Sequence, residues 1–95
     1  MLNITWDTNK ASINLEKHRI SFDEAKTVFY DDHARLLDDQ DHSEEEDRFL
    51  LLGMSLKARI LLVCHCYRED SHFIRIISAR KASRKESQQY RRYKQ

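Results

Sequence analysis

Three cationic side chains lie near one another where a predicted strand gives way to a predicted helix. Ile74 and Ile76 share one face of the strand, so Arg75 points to the opposite face. Arg80 and Lys81 follow just before the helix, whose free N–H groups and dipole favour an anion. We therefore expect all three cations to contact a phosphate group. For Arg80 and Lys81 taken alone, an ordinary solvated turn is the alternative.

The helix after these cations begins with a capping box, in which the Ser83 hydroxyl and the Glu86 carboxylate satisfy each other's backbone N–H groups. Arg84 and Lys85 lie inside this box, and the rest of the helix is basic with two tyrosines three residues apart. A basic helix with interleaved aromatic residues is typical of nucleic-acid contact, and we expect Arg84 and Lys85 to bind phosphates. The alternative is a packed tyrosine edge with a solvated basic face.

Two titratable side chains fall on one face of a second predicted strand, residues 60–67. His65 and Tyr67 are two residues apart near the end of the strand, so both side chains point to that face. If this strand neighbours the one that carries Arg75, the three side chains converge on a patch of the sheet. A histidine with an ordinary pKa of about 6.5 suits general acid or base catalysis, and Tyr67 would contact the bound nucleic acid. For His65 the alternative is an ordinary core residue.

A second acid and base pair enters another predicted strand. Glu46 precedes Arg48 by two residues, so the two side chains share a face if the strand extends that far. We expect Glu46 to take part in proton transfer and Arg48 to bind a phosphate. An exposed strand edge is the alternative.

Composition places the 95 residues in one domain, residues 1–95, of a globular class. Charge is segregated: residues 31–47 hold nine acidic residues against one arginine, and residues 72–95 hold eight basic residues against one glutamate. A basic end of this density attracts polyanions. The longest apolar run is too short to span a bilayer, and no basic segment followed by an apolar one begins the chain. We expect a cytoplasmic protein with no membrane contact.

Metal and cofactor sites are not expected. The five histidines are scattered without the spacing of a zinc site. Cys64 and Cys66 lie on one strand face, too close for an unstrained disulfide, and are interpreted as structural thiols.

The remaining patterns predict an α+β fold. Asp7 caps a first helix that ends near His18, and Ser21 begins the capping box of a second helix. Strands are predicted over residues 2–6, 35–37, 48–54, 60–67 and 72–78, with turns short enough for antiparallel hairpins. We expect an antiparallel sheet of four to five strands, two N-terminal helices and a C-terminal helix.

Four motifs, in this order along nearly the whole chain, resemble the BrnT family of bacterial type II toxins. They are Trp6-Asp7-x-Asn9-Lys10, Lys17-His18-x-Ile20-Ser21-Phe22-Asp23-Glu24-Ala25, Asp41-His42-Ser43-Glu44 and the run from Ile74 to Ala82. The resemblance implies a small RelE-like ribonuclease that inhibits translation and arrests growth. It also implies a BrnA-like antitoxin, which binds operator DNA on behalf of the complex, and a toxin dimer within a heterotetramer. Arg19 stands where the family usually has glycine.

Metal-independent RNA cleavage requires groups that the candidate residues supply. The ribose 2′-OH is an internal nucleophile, so the protein must move protons and stabilise charge on phosphorus. We expect His65 to transfer protons, Arg75 and Arg80 to bind the non-bridging oxygens, and Lys81 to add charge or assist the leaving group. Two alternatives stay open: a non-enzymatic module that binds nucleic acid or a partner, and a degenerate toxin that retains only antitoxin binding.

Overall fold

A computed structural model of the chain describes residues 2–38, 48–69 and 72–94 and has an α+β fold. The elements, in chain order, are β1 (Ile4–Trp6), α1 (Thr8–His18), α2 (Phe22–Thr27), a single 3-10 turn (Val28–Tyr30), β2 (Arg35–Asp38), β3 (Arg48–Met54), β4 (Ile60–Arg68), β5 (Phe73–Lys81) and α3 (Arg84–Lys94). Three helices and five strands among the described residues confirm the expected fold class.

The five strands form one sheet in the order β1-β5-β4-β3-β2. Strands β2 to β5 are antiparallel neighbours, as their short connections require. β1 differs from the expected antiparallel pairing, because it lies parallel to β5 with Ile4 opposite Ile74 and Trp6 opposite Ile76. β1 ends at Trp6, and α1 begins two residues later. The Trp6 ring packs edge-on against Phe22 of α2, with ring centroids 6.0 Å apart.

α1 and α2 cover one face of the sheet and form the main core. Nine buried residues form this core. The helical layer contributes Ile20, Phe22, Ala25 and Val28, and the sheet contributes Leu51, Leu61, Val63, Ile76 and Ala79. Gly53 of β3 lies against the 3-10 turn and the residues that follow it. A Cβ atom there would come within 2.9 Å of Val28 Cγ1 and Ala34 Cβ, so the position excludes a side chain.

α3 packs on the opposite face and forms a smaller core. Tyr90 is 1% exposed and lies against Leu52 and Leu62, with Leu50, Met54, Ile60, Ala82 and Tyr93 at the margin. The guanidinium of Arg35 on β2 stacks 4.5 Å from the centre of the Tyr93 ring. α3 therefore covers only the part of this face that β3 and the first half of β4 provide.

Side-chain caps fix the helix ends. Asp7 accepts hydrogen bonds from the backbone N–H groups of Asn9 and Lys10, and Ser21 accepts from Glu24. Arg19 ends α1 in the left-handed conformation, with φ of 61°. Glycine adopts this conformation without strain, so arginine here costs about 1 kcal/mol.

The side chain of Asn14 on α1 protects the backbone of β5 beyond the point where β1 ends. Its amide oxygen accepts from the Ala79 N–H, and its Nδ2 donates to the Ala79 carbonyl at 2.8 Å and to the Ile20 carbonyl at 3.0 Å. The amide thus replaces a neighbouring strand at one residue of the sheet edge. Among the described residues, no helix is long and apolar enough to cross a membrane.

Candidate active site

The face of the sheet opposite the α1 and α2 layer carries a row of side chains that crosses four strands. Arg48 on β3 pairs with Cys66 on β4, Cys66 pairs with Arg75 on β5, and Arg75 pairs with Thr5 on β1. Residues directly opposite each other on neighbouring strands point to the same face. With strands about 4.8 Å apart, the Cα atoms of Arg48 and Arg75 are roughly 10 Å from each other across Cys66.

A third arginine lies next to this row. Arg68 follows Cys66 by two residues on β4, so it points to the same face, and it pairs with Phe73 on β5. Arg48, Arg68 and Arg75 are called the three-arginine face below. Three guanidinium groups around one buried cysteine form a surface suited to an anion that is larger than a single carboxylate.

A cleft of about 520 Å³ opens beside Arg75. Its lining residues are Thr5, Arg68, Glu69, Phe73 and Arg75, and it is called the Arg75 cleft below. The volume lies within the range of natural ligand sites. The cleft combines two cations, one carboxylate and one aromatic ring.

Asp7 connects the Arg75 cleft to the start of α1. Its Oδ1 caps the helix through the Asn9 N–H at 2.7 Å, and its Oδ2 lies 4.0 Å from the Arg75 guanidinium. Both side chains are more than one third exposed, so the ion pair adds little stability. The contact places the carboxylate of Asp7, the residue that directly follows β1, beside the Arg75 guanidinium.

His65 does not meet Arg75, which contradicts the convergence expected from the sequence. His65 pairs with Ile76, and Tyr67 pairs with Ile74, so both face the layer formed by α1 and α2. Arg75 alternates with these isoleucines and faces the opposite side of the sheet. The apolar faces of the two strands determine this arrangement, because Ile74 and Ile76 must point to the helical core.

His65 is fully buried in an aromatic cluster. Its ring meets Phe29 edge-on with centroids 4.9 Å apart, and Phe49 and Tyr67 lie at 6.2 and 5.4 Å. Nδ1 lies 3.2 Å from the Val63 carbonyl, whereas Nε2 has no hydrogen-bond partner among the described residues. Burial lowers the pKa of His65 more than the Val63 carbonyl raises it. The imidazole is therefore neutral at pH 7 and separated from solvent.

Tyr67 lies at the margin of the same cluster. Its side chain is partly exposed on the helical side of the sheet, and burial of the ring raises the pKa of its hydroxyl. It therefore lies on the face opposite Arg48 and Arg75.

Arg80 is engaged by α3. Its two terminal nitrogens donate to the two carboxylate oxygens of Glu86 at 2.9 and 3.0 Å. Glu86 also accepts from the Ser83 N–H, and the Ser83 hydroxyl accepts from the Glu86 N–H, which confirms the capping box. The Arg80 hydrogen bond, followed by other contacts, lowers the pKa of Glu86 despite partial burial. Arg80 thus fastens the end of β5 to the start of α3.

The other expected cations lie away from Arg75. Arg80 pairs with Leu62, four residues along β4 from Cys66, which corresponds to roughly 13 Å. Lys81 pairs with Leu61 and lines a separate cleft of about 290 Å³ with Arg59 and Arg91. The single phosphate site expected from Arg75, Arg80 and Lys81 is therefore divided between two ends of the sheet.

Two further cations predicted from the sequence lie on α3. Arg84 and Lys85 are exposed in the first turn of α3. Glu46 lies outside the described residues. The described residues hold no group of three or more histidine, cysteine, aspartate or glutamate side chains that is arranged to bind a metal ion. Cys64 and Cys66 are buried, and no disulfide bond joins them.

Four residues of the site, namely Thr5, Arg68, Glu69 and Phe73, were not among the sequence candidates. For Arg68 the sequence does contain a signal. It follows Cys66 by two residues on the strand, so it lies on the same face as Cys66 and as any residue that pairs with Cys66. The other three depend on the pairing between strands, which the sequence does not state.

Comparisons with known proteins give a family match and a structural match. The sequence model of a family described as "Ribonuclease toxin, BrnT, of type II toxin-antitoxin system" matches residues 6–86. A crystal structure of the Brucella abortus ribonuclease toxin BrnT superposes with a TM-score of 0.68 at 23% sequence identity. The match covers 88% of this chain and 100% of that one. The comparison with curated proteins gives no match.

Proposed function

Since this chain belongs to the BrnT family of ribonuclease toxins of type II toxin-antitoxin systems, we propose that it cleaves RNA on the three-arginine face. The observation that carries this proposal is the row Arg48, Cys66, Arg75 across three paired strands, with Arg68 beside it. Fixed guanidinium groups on rigid strands are suited to hold the phosphodiester and to stabilise charge on it. The other face of the sheet is occupied by the helical core.

The chemistry we propose needs no metal ion. The ribose 2′-OH attacks the adjacent phosphorus, the bond to the 5′-oxygen of the next nucleotide breaks, and a 2′,3′-cyclic phosphate and a 5′-OH result. Arg75 binds a non-bridging oxygen as the negative charge grows, and Arg48 and Arg68 hold the phosphates on either side. Asp7 is a positioning residue that restrains the Arg75 guanidinium.

Proton transfer is the step for which the described residues offer the fewest groups. His65 lies in the core on the opposite side of the sheet. We therefore assign His65 to the support of β4 rather than to acid or base catalysis. Glu46, two residues before Arg48, remains the candidate general base. The Glu46→Gln variant should then lose most activity while it still binds RNA.

The basic residues at the far end of the sheet extend the proposed RNA path. Arg80 holds α3 in place through Glu86. This contact leaves the exposed Arg84 and Lys85 and the cleft residue Lys81 to contact phosphates away from the cleavage site. Lys81 pairs with Leu61, five residues along β4 from the partner of Arg75, which corresponds to roughly 17 Å. Contacts at this distance would strengthen RNA binding and leave the chemical step unchanged.

An antitoxin partner follows from membership of a type II toxin-antitoxin family. We propose that the partner resembles BrnA, that it binds operator DNA for the complex, and that a toxin dimer lies within a heterotetramer. Translation would be inhibited and growth arrested in the cytoplasm, where messenger RNA is available.

Purified protein incubated with a short oligoribonucleotide in EDTA tests the proposed chemistry. We expect cleavage to persist in EDTA, to give a 2′,3′-cyclic phosphate end, and to stop when the 2′-OH at the cleaved position is replaced by hydrogen. RNA that stays intact although the folded protein binds it would favour a binding module instead. Cleavage that requires added Mg²⁺ would contradict the metal-independent mechanism.

A further inference from the structure

The Arg75 cleft has an aromatic wall next to its cations. Phe73 begins β5, pairs with Arg68, and precedes Arg75 by two residues on the same strand face. Its side chain is only partly buried. The α3 core at Leu62 lies six residues away along β4, roughly 20 Å from Arg68. Phe73 is therefore a ring at the margin of the sheet, with Arg68 opposite it and Arg75 two residues along the same strand.

A partly exposed aromatic ring next to two cations is suited to bind the base of a nucleotide. Bases stack on aromatic side chains through their faces, whereas the phosphates of the same strand bind guanidinium groups. Phe73 and Arg75 supply both kinds of contact on one face of one strand. Because alternate residues of a strand lie about 6.6 Å apart, the ring can hold the base of a nucleotide whose phosphate is bound to Arg75.

The carboxylate of Glu69 lies in the lining of the same cleft. An ionised carboxylate only accepts hydrogen bonds. Guanine presents two adjacent donors, its N1–H and its amino group, which match two carboxylate oxygens. Adenine and cytosine place a bare acceptor nitrogen beside their amino group, and uracil places its single N–H between two carbonyls. A carboxylate at the rim of the cleft therefore favours guanine.

We propose that the Arg75 cleft is a nucleobase subsite, in which Phe73 stacks on the base next to the phosphate at Arg75 and Glu69 selects guanine. This proposal rests on the proposed function, because RNA is the ligand that supplies the base.

The test measures binding of fluorescently labelled, 2′-O-methylated oligouridylates that the enzyme cannot cleave. One strand carries a single guanosine, a second carries uridine there, and a third carries an abasic residue. The variants are Phe73→Leu, which removes the ring, Phe73→Tyr, which keeps it, and Glu69→Gln. Tyr30→Leu, which removes an exposed ring elsewhere, is the control. Thermal unfolding verifies that each variant is folded.

We expect Phe73→Leu to raise the Kd for the guanosine strand about 10-fold, and Phe73→Tyr and Tyr30→Leu to change it less than about 2-fold. The abasic strand should bind wild type and Phe73→Leu alike, and Glu69→Gln should lose the preference for guanosine over uridine. Equal Kd values of folded Phe73→Leu and wild type on the guanosine strand would overturn the subsite. If Phe73→Leu does not fold, equal wild-type affinity for the guanosine and abasic strands would overturn it.

Failure of the ribonuclease proposal gives a different result. If wild-type protein binds the guanosine strand through Phe73 yet leaves the matching 2′-OH strand intact, the subsite is supported and the proposed cleavage is contradicted. If wild-type protein cleaves RNA and neither Phe73→Leu nor the abasic residue changes binding, only the subsite is contradicted.

Discussion

The Tyr90 hydroxyl donates a hydrogen bond to Asp31 Oδ2 at 2.6 Å. The same oxygen accepts from the Met54 N–H at 2.8 Å, so one carboxylate joins α3, the end of β3 and the loop that follows the 3-10 turn. Burial, followed by the bond to Asp31, raises the pKa of Tyr90 to about 12, and the hydroxyl stays protonated over the working range of pH. The C-terminal helix is thus held by a specific bond as well as by apolar contact.

Tyr90→Phe should lower the free energy of unfolding by about 1.5 kcal/mol, because it removes a hydrogen bond to a charged acceptor and keeps the packed ring. Urea denaturation measures the change. Tyr93→Phe on the same helix is the matched control, and a change below about 0.5 kcal/mol is expected there. Equal effects of the two substitutions would show that the bond to Asp31 is not what stabilises α3.

Arg19→Gly should raise the free energy of unfolding by about 0.5 kcal/mol. Arg19 has a φ of 61°, and glycine removes the steric strain of the left-handed conformation, although part of the gain is lost to the greater freedom of the unfolded chain. Ala58 has the same φ in the β3–β4 turn, so Ala58→Gly should act in the same direction. An unchanged or lower midpoint of urea denaturation for Arg19→Gly would contradict this reading of the end of α1.

Protein stability should fall as the pH drops below about 6.5, and His65 should cause part of the fall. Burial lowers the pKa of His65 in the folded protein, whereas the unfolded chain takes up a proton near the ordinary value of about 6.5. The unfolded state then binds more protons below that pH, so the stabilisation present above it is lost on acidification. Thermal unfolding between pH 5 and pH 8 measures this, and His65→Phe should flatten the profile. A profile that is equally steep in the folded variant would contradict the burial of a neutral imidazole.

Local sequence patterns predicted the helices and strands well, because helix caps and apolar alternation depend on residues that are close in sequence. Asp7, Ser21 and Ser83 mark the three helix starts where the structure has them, since a cap acts on the N–H groups of the next turn. The apolar alternation of Ile74 and Ile76 also predicted correctly that Arg75 lies on the other face of β5.

The assembly of the candidate site depended on pairing that local patterns do not contain. Residues 60–66 are apolar on both faces, so nothing in β4 alone indicates whether Cys66 or His65 shares a face with Arg75. The register also shifts between Cys64 and His65, which leaves Ile77 without a partner of its own and allows Ala79 to rejoin the core face. The parallel pairing of β1 is a contact between the two ends of the chain, and short-range spacing carries no signal for it.

The rates at which folded Arg75→Gln and His65→Phe cleave a short oligoribonucleotide show which face of the sheet carries the chemistry, with Lys26→Gln, an exposed cation of the helical layer, as the control. We expect a loss of at least about 100-fold for Arg75→Gln, since the substitution removes an electrostatic contact to the reacting phosphate. We expect a rate within about 3-fold of wild type for His65→Phe at a temperature where that variant stays folded. Full activity of Arg75→Gln together with an inactive, folded His65→Phe would contradict cleavage on the three-arginine face and would place the chemistry on the opposite side of the sheet.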